Sequence, residues 1–232
     1  QGFPDAPGPE AVRRKAAEAV LSGYNQYPPS AGLMELRQAV ADHYGRTQGL
    51  ALDPATNVVV TSGATEALAA TFLALIEPGD EVVVFQPFYD AYLPLIRRAG
   101  GAARLVSLQP PEWRITPEAL ARAITPATRF LVLNSPTNPT GRVLDEAELA
   151  LVAEACIAHD LIAICDEVWE QVVFAPAVHR PLMGYPGMAG RCVKIGSAGK
   201  MFGLTGWKVG FMCAAAPLAR HMARAHQFLT FT

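Results

Sequence analysis

The stretch IGSAGKMFGLTGWKVG, residues Ile195–Gly210, places Lys200 among closely spaced glycines. The glycines stand at 196, 199, 203, 206 and 210. A backbone this rich in glycine takes positive φ easily and approaches a bound group closely. Apolar runs on either side, 191–195 and 209–215, are typical of strands. The stretch therefore predicts a glycine-rich connection between two strands that holds a lysine beside a ligand.

The side chains of this stretch indicate a particular kind of ligand. A lysine amine such as that of Lys200, held away from bulk water, can lose its proton and attack a carbonyl carbon. Ser197 and a second cation, Lys208, supply a hydroxyl and a positive charge that suit a phosphate. An amine for a carbonyl beside a cation for a phosphate describes a site for pyridoxal 5'-phosphate (PLP). By itself, the short Ser-x-x-Lys motif favours a solvated lysine in a glycine-rich loop, because short motifs often match by accident.

The segment SAGKMFGLTGWKVGF resembles the Schiff-base lysine segment of the class I and II aminotransferases, PLP enzymes of fold type I. The branch that it most resembles contains kynurenine and methionine aminotransferases, whose GFPD and GATEA signatures occur at residues 2–5 and 63–67. Six motifs in the family's order cover nearly the whole chain. The resemblance implies that an amino group moves from an L-amino acid to a 2-oxo acid, with Lys200 as the Schiff-base residue and general base.

The alternation of apolar strands with helical segments predicts an α/β three-layer sandwich with a mostly parallel sheet. The resemblance adds that the sheet has seven strands and that the strand after the Lys200 stretch is antiparallel. It also implies that residues 26–232 form the large PLP-binding domain, while residues 1–25 associate with a small domain. The chain opens inside a motif and stops inside a helical pattern, so we expect a fragment without the C-terminal small domain.

A second motif, TSGATEAL at 61–68, lies between a predicted strand, 57–61, and a predicted helix that starts at Ala64. A glycine turn at a helix start points backbone N–H groups at one place, where the helix dipole adds positive charge. An ordinary turn with capping side chains is the alternative. The resemblance assigns Gly63, Ala64 and Thr65 to the cofactor phosphate. It also implies a homodimer in which Tyr27 reaches the phosphate of the partner subunit.

A third motif, NSPTNPTG at 134–141, follows the predicted strand 129–133. Its two prolines stiffen the turn, and we expect a cis peptide bond before Pro136 or Pro139. The Asn138 amide is able to donate a hydrogen bond to a phenolate oxygen. The resemblance implies that Asn138 binds the 3-oxygen of PLP and touches the substrate carboxylate. An ordinary Asn-Pro turn is the alternative.

Asp166 follows the apolar strand 161–165. A carboxylate at the end of a buried strand is costly unless it has a partner, and ligands of α/β sheets bind at that edge. We expect Asp166 to pair with the pyridine nitrogen of PLP; an Asp that only caps the next turn is the alternative. The family usually has tyrosine three places later, where this chain has Trp169. An indole donates but neither accepts nor ionises, so Trp169 either donates to the cofactor or only packs.

The segment QPFYDAY, residues 86–92, contributes aromatic rings. The resemblance places Tyr89 on the face of the pyridine ring and Tyr92 along the substrate pocket; two core aromatics are the alternative. It also places Gly2 beside the substrate carboxylate. A pocket lined by aromatic rings hints at amino acids with bulky or sulfur-containing side chains.

Composition narrows the functional classes. The 232 residues carry a formal net charge of -2 without a Lys/Arg run, so nucleic-acid and membrane-surface partners are not indicated. The four cysteines form no Cys-x-x-Cys pair, which favours reduced, buried thiols in a cytoplasmic protein. The histidines lack metal-ligand spacing, so we expect no metal.

Two other functions share most of these residues. A PLP-dependent C–S β-lyase, such as a cysteine-conjugate β-lyase, uses the same lysine and aspartate. A non-catalytic regulator uses the same domain to sense PLP.

Overall fold

The computed structural model describes residues 5–231 as an α/β sandwich. Within that range the strands are β1 (Val58–Thr61), β2 (Glu81–Gln86), β3 (Ala102–Ser107), β4 (Thr128–Asn134), β5 (Ile162–Asp166), β6 (Cys192–Ser197) and β7 (Gly210–Ala214). The helices are α1 (Glu10–Leu21), α2 (Met34–Gln48), α3 (Ala64–Leu75), α4 (Tyr92–Arg98), α5 (Pro117–Ala123), α6 (Glu146–Ala158), α7 (Ala198–Met201) and α8 (Ala216–Leu229).

The seven strands form one sheet in the order β1-β7-β6-β5-β4-β2-β3. Strand β7 is antiparallel to both of its neighbours, and the other pairs are parallel. This confirms the expected mostly parallel, seven-stranded sheet with an antiparallel strand after the Lys200 stretch. Asn134 and Asp166 are paired in register at the carboxyl ends of β4 and β5, so the third motif and the aspartate meet at one sheet edge.

Helices cover both faces of the sheet. Alternate residues of each strand point to opposite faces, so Val82 and Val84 pack in one apolar layer and Val83 and Phe85 in the other. The first layer contains residues of α3, α4 and α8, and the second contains residues of α2, α5 and α6. Because both faces are covered, the inner strands are apolar along nearly their whole length.

Three local features differ from or extend the sequence-based expectations. The Lys200 stretch does not run as a plain loop: α7 forms one helical turn there, and Ser197 Oγ caps it by accepting a hydrogen bond from the Lys200 backbone N–H at 3.3 Å. Helix α2 ends at Gln48, and Gly49 follows it in the left-handed conformation. Helix α1 buries none of its residues.

Two further expectations concern cysteines and membranes. All four cysteines are free and buried, as expected. Among the described residues, no helix combines the length and apolar character needed to cross a bilayer.

Candidate cofactor site

A cavity of about 580 Å³ opens at the carboxyl edge of β4, β5 and β6. Ligand pockets in proteins are typically about 300–1,000 Å³, so it suits a small molecule. Ten of the predicted residues line it: Gly63, Ala64, Thr65, Tyr89, Asn138, Asp166, Trp169, Ser197, Lys200 and Lys208. The sheet topology brings them together, because the turns after three neighbouring strand ends meet the start of α3.

Asp166 is the buried charge of this cavity. Its side chain ends β5, and Oδ2 accepts a hydrogen bond from the Tyr92 hydroxyl at 2.6 Å. Oδ1 is buried and has no hydrogen-bond partner among the described residues. Burial raises the pKa of Asp166, while the Tyr92 hydroxyl and the Val168 backbone N–H act in the opposite direction. A protonated nitrogen in the cavity would give Oδ1 the donor that it lacks.

Tyr92 corrects one prediction. It was expected to line the substrate pocket, but its side chain is 1% exposed and lies behind Asp166, outside the cavity lining. As the first residue of α4, it points into the apolar layer between that helix and the sheet. Only its hydroxyl reaches a polar group, the Asp166 carboxyl. Its role concerns that carboxyl group rather than the substrate.

The start of α3 forms a cradle with Lys208. Gly63 precedes the helix with φ +80°, and a Cβ there would lie 3.0 Å from Lys208 Cε and 3.1 Å from its Nζ. The Lys208 ammonium therefore lies against the glycine turn, where the N–H groups of α3 and the helix dipole favour an anion. Thr65 adds an exposed hydroxyl in the first turn. This arrangement suits a phosphate.

Lys200 and Trp169 lie together in the cavity. The Lys200 Nζ is 4.8 Å from the centroid of the Trp169 ring, within the range of a cation–π contact. This contact with the ring face was not predicted from the sequence. It favours the packing interpretation of Trp169.

The turn that carries Asn138 has the predicted geometry. The Asn138 backbone N–H donates to Asn134 Oδ1 at 2.6 Å, which closes the turn. The peptide bonds before Pro136 and Pro139 are both cis, as the two-proline turn predicts. Asn138 thereby lines the same cavity as Asp166 and Lys200.

Of the predicted cofactor-binding residues that the structure describes, Tyr27 does not line this cavity. Tyr27 is 84% exposed, and its ring packs edge-on against Phe231 with 5.3 Å between the ring centroids. A side chain exposed in this way contributes nothing to the cavity of its own chain. Gly2 lies outside the described residues.

A buried charge cluster that was not predicted from the sequence lies on the opposite face of the sheet from Asp166. Lys194, fully buried in β6, contacts the carboxylates of Glu167 and Glu170, and His179 Nε2 lies 3.0 Å from Glu167 Oε2. Although burial opposes the charge of Glu167, its pKa is lowered by the Lys194 ammonium. The Tyr44 hydroxyl donates to Glu170 at 2.7 Å. A lysine inside an otherwise apolar strand was the signal that could have revealed this cluster.

The whole chain matches a known protein family. Residues 1–232 match the family model for aminotransferases of class I and II. The chain is 48% identical over its full length to a probable N-succinyldiaminopimelate aminotransferase of Mycobacterium tuberculosis, of which it covers 59%. It is 39% identical over its full length to a methionine aminotransferase of Escherichia coli, of which it covers 60%.

A solved structure shows the same likeness in three dimensions. The structure of N-succinyldiaminopimelate aminotransferase from M. tuberculosis superimposes with a TM-score of 0.98 at 47% identity, and the match covers all of this chain and 61% of that one. The chain therefore spans about three fifths of the length of these relatives.

Proposed function

Because the chain belongs to the class I and II aminotransferases, which its whole length matches, we propose that it is the cofactor-binding part of an enzyme that transfers an amino group from an L-amino acid to a 2-oxo acid. Its cofactor is PLP, on which this family depends. The proposal rests above all on Asp166, whose buried Oδ1 has no hydrogen-bond partner among residues 5–231 and lies at the cavity that also contains Lys200.

The residues that line the cavity match three groups of PLP: the pyridine nitrogen, the phosphate and the carbonyl carbon. The unpartnered oxygen of Asp166 suits a protonated pyridine nitrogen. The cradle of Gly63, Ala64 and Thr65, with Lys208 and Ser197, suits the phosphate. Lys200 supplies the amine for the carbonyl carbon. We assign Asn138 to the ring oxygen and to the substrate carboxylate.

Bound PLP supplies an electron sink for the charge that develops when the α-proton of an amino acid leaves. Asp166 holds a proton at the ring nitrogen and thereby keeps that sink effective. With PLP bound, the Lys200 amine would take up the α-proton of the amino acid as general base and would then return a proton as general acid. Because Ser197 caps the short helix under Lys200, the amine is presented from an ordered turn. Tyr89 and Trp169 both line the cavity, and we assign Tyr89 to the face of the pyridine ring.

Several wider assignments belong to the same proposal. Residues 26–232 act as the large domain, and residues 1–25 associate with a small domain that also completes the substrate site around Gly2. The enzyme is a cytoplasmic homodimer in which Tyr27 serves the partner's cofactor; the exposure of Tyr27 and the four free thiols support these two assignments.

The names of the relatives indicate which amino donors to test first. Methionine and N-succinyldiaminopimelate appear in those names, and kynurenine is the donor named in the branch that the sequence resembles. Each donor should be offered with 2-oxoglutarate and with pyruvate. Formation of a new amino acid from the oxo acid supports transamination, whereas release of pyruvate and ammonia from a sulfur-containing donor indicates a lyase.

The identity of the reacting lysine is tested by borohydride reduction of the PLP-treated protein, followed by peptide mass mapping. We expect PLP to become attached at Lys200 in the wild type and not in the K200A variant. K208A is the matched control, since it removes the neighbouring lysine: we expect it to retain the adduct at Lys200 while binding PLP more weakly. An adduct elsewhere, or undiminished transamination by K200A, would refute the assignment.

A further inference from the structure

A second buried polar group, His226 of α8, connects two parts of the cofactor site. Its side chain is fully buried, and Nδ1 lies 3.1 Å from both carboxylate oxygens of Glu66. Nε2 lies 2.7 Å from the backbone carbonyl oxygen of Ser30. Glu66 belongs to the first turn of α3, and Ser30 belongs to the segment 22–33, here called the Tyr27 loop.

These contacts determine the protonation state of the ring. A backbone carbonyl only accepts hydrogen bonds, so Nε2 must carry a proton to bond Ser30. A carboxylate also only accepts, so Nδ1 must carry a proton to bond Glu66. The Thr230 hydroxyl is 3.4 Å from Nδ1, farther than either carboxylate oxygen. The arrangement is therefore satisfied by the doubly protonated, positively charged form of His226.

The two partners of His226 belong to functionally distinct elements. Glu66 directly follows Thr65 of the phosphate cradle, and its carboxylate also accepts a hydrogen bond from the Ser62 backbone N–H at 3.2 Å. Ser30 lies three residues after Tyr27, the residue assigned to the partner's phosphate. One imidazolium ring thus joins the cradle of this subunit to the loop that serves the other.

We propose that His226 is a pH-sensitive positioning residue, which connects the Tyr27 loop to the start of α3 while it is protonated and interrupts that connection when it loses its proton. The role assigned to Tyr27 rests on the proposed function; the latch between loop and helix does not. Loss of one proton leaves one ring nitrogen without hydrogen, and that nitrogen then faces an acceptor oxygen. Either the Ser30 or the Glu66 contact must then break.

The surroundings of the ring leave Glu66 as its main charged neighbour. Among the described residues, Glu66 alone brings a charged group within hydrogen-bonding distance of His226. The strands under α8, β1 and β7, contribute apolar side chains such as Val59 and Met212 to the same layer. Although burial by itself lowers the pKa of His226, the bond and charge of Glu66 raise it above the ordinary value.

The direction of the pH effect follows from that raised pKa. The stabilising contribution of the latch is fully present below the ordinary histidine pKa of about 6.5 and is lost as the pH rises through the higher pKa of the folded protein. The connection between the Tyr27 loop and α3 should therefore be intact below about pH 6.5 and be lost as the pH rises through the raised pKa of His226.

Hydrogen–deuterium exchange of peptides from residues 24–33 tests the latch in the protein with and without PLP. Wild type is compared with H226Q at about pH 6 and about pH 9.5, on either side of an ordinary histidine pKa. We expect exchange in H226Q to be about tenfold faster at the lower pH, since a hydrogen bond to a charged group is of that order. The two proteins should exchange alike at the higher pH.

H221Q is the matched control, because His221 lies exposed on the same helix; it should behave as wild type at both pH values. E66Q is a second variant, which keeps the His226 ring in place but removes the charge of its partner. In E66Q the Tyr27 loop should open at a lower pH than in wild type. A tenfold difference between H226Q and wild type at both pH values would show a purely structural histidine and overturn the proposal. Equal exchange of H226Q and wild type at both pH values would also overturn it.

Titration with PLP separates this inference from the proposed function. We expect H226Q to bind PLP more weakly than wild type at the lower pH and equally at the higher pH, with H221Q unchanged. If wild type binds no PLP, the proposed function fails, while the exchange data still decide whether the latch exists. If wild type binds PLP and the exchange of residues 24–33 is the same in H226Q as in wild type, the inference alone fails.

Discussion

Replacing Tyr92 by phenylalanine removes one hydroxyl from behind the cofactor site and leaves the ring in place. The hydroxyl donates to Asp166 Oδ2 at 2.6 Å, and both side chains are almost completely buried. Because water cannot replace the lost donor, the ionised form of Asp166 is less stabilised in Y92F than in wild type. The pKa of Asp166, already raised by burial, should rise further, since the Tyr92 bond is one of the contacts that lower it.

The size of the effect follows from the bond that is lost. Hydrogen bonds to charged groups contribute roughly 1.5–3 kcal/mol, and each 1.4 kcal/mol is about a factor of ten in affinity. We therefore expect PLP to bind about ten- to a hundredfold more weakly to Y92F near neutral pH. The loss should shrink as the pH rises, because an alkaline medium removes the proton that Asp166 would otherwise keep.

PLP titration by absorbance across the pH range measures this, with Y89F as the matched control. Tyr89 lines the cavity and contacts the Tyr92 ring edge-on, but it makes no hydrogen bond to Asp166 among the described residues. Y89F keeps a ring for stacking, so its PLP affinity should change little and its pH dependence not at all. If Y92F binds PLP like wild type at every pH, Tyr92 does not act on Asp166 and the reasoning is wrong.

Two further variants test the buried charges. D166N should raise the melting temperature of the PLP-free protein at neutral pH. A carboxyl group with a raised pKa destabilises the folded state above its ordinary pKa, and this penalty disappears in acid. D166N should also weaken PLP binding, and equal melting temperatures of D166N and wild type at neutral pH would contradict this account. K194M should lower the free energy of unfolding by about 3–5 kcal/mol in urea titrations, because it leaves two buried carboxylates without their cation. The triple variant K194M/E167Q/E170Q should recover part of that loss, and a cost below about 1 kcal/mol for K194M would refute the buried-pair argument.

The positions of the main site residues were predictable because the sheet is mostly parallel. Asn134 and Asp166 end adjacent strands, and parallel strands place their carboxyl ends at one edge. Once the strands were recognised from their apolar runs, the convergence of Asn138, Asp166 and Lys200 followed. The turn at Gly63 was also predictable from the sequence, because a glycine between a strand and a helix indicates a tight turn. In the structure Gly63 has φ +80° and leaves no room for a side chain beside Lys208.

The side-chain directions were not predictable in the same way. Tyr92 lies in an aromatic motif, and the motif does not say whether a ring at the start of a helix points to the cavity or to the core. The face of β6 on which Lys194 points also depends on register, which pairs it with Cys165, the residue next to Asp166. A shift of one residue would turn Lys194 to the other face.

The alternation of strands and helices, the glycine turn before α3, and the amine and carboxylate at strand ends were all predictable from the amino-acid sequence, because they follow from periodicity and from the conformations that single residues allow. The pairing of the buried polar groups, in contrast, became visible only in the folded protein. Tyr92 with Asp166, Lys194 with Glu167, and His226 with Ser30 are each brought together across 27 to 196 positions of the chain. Contacts of that kind depend on packing between layers, which no local pattern encodes.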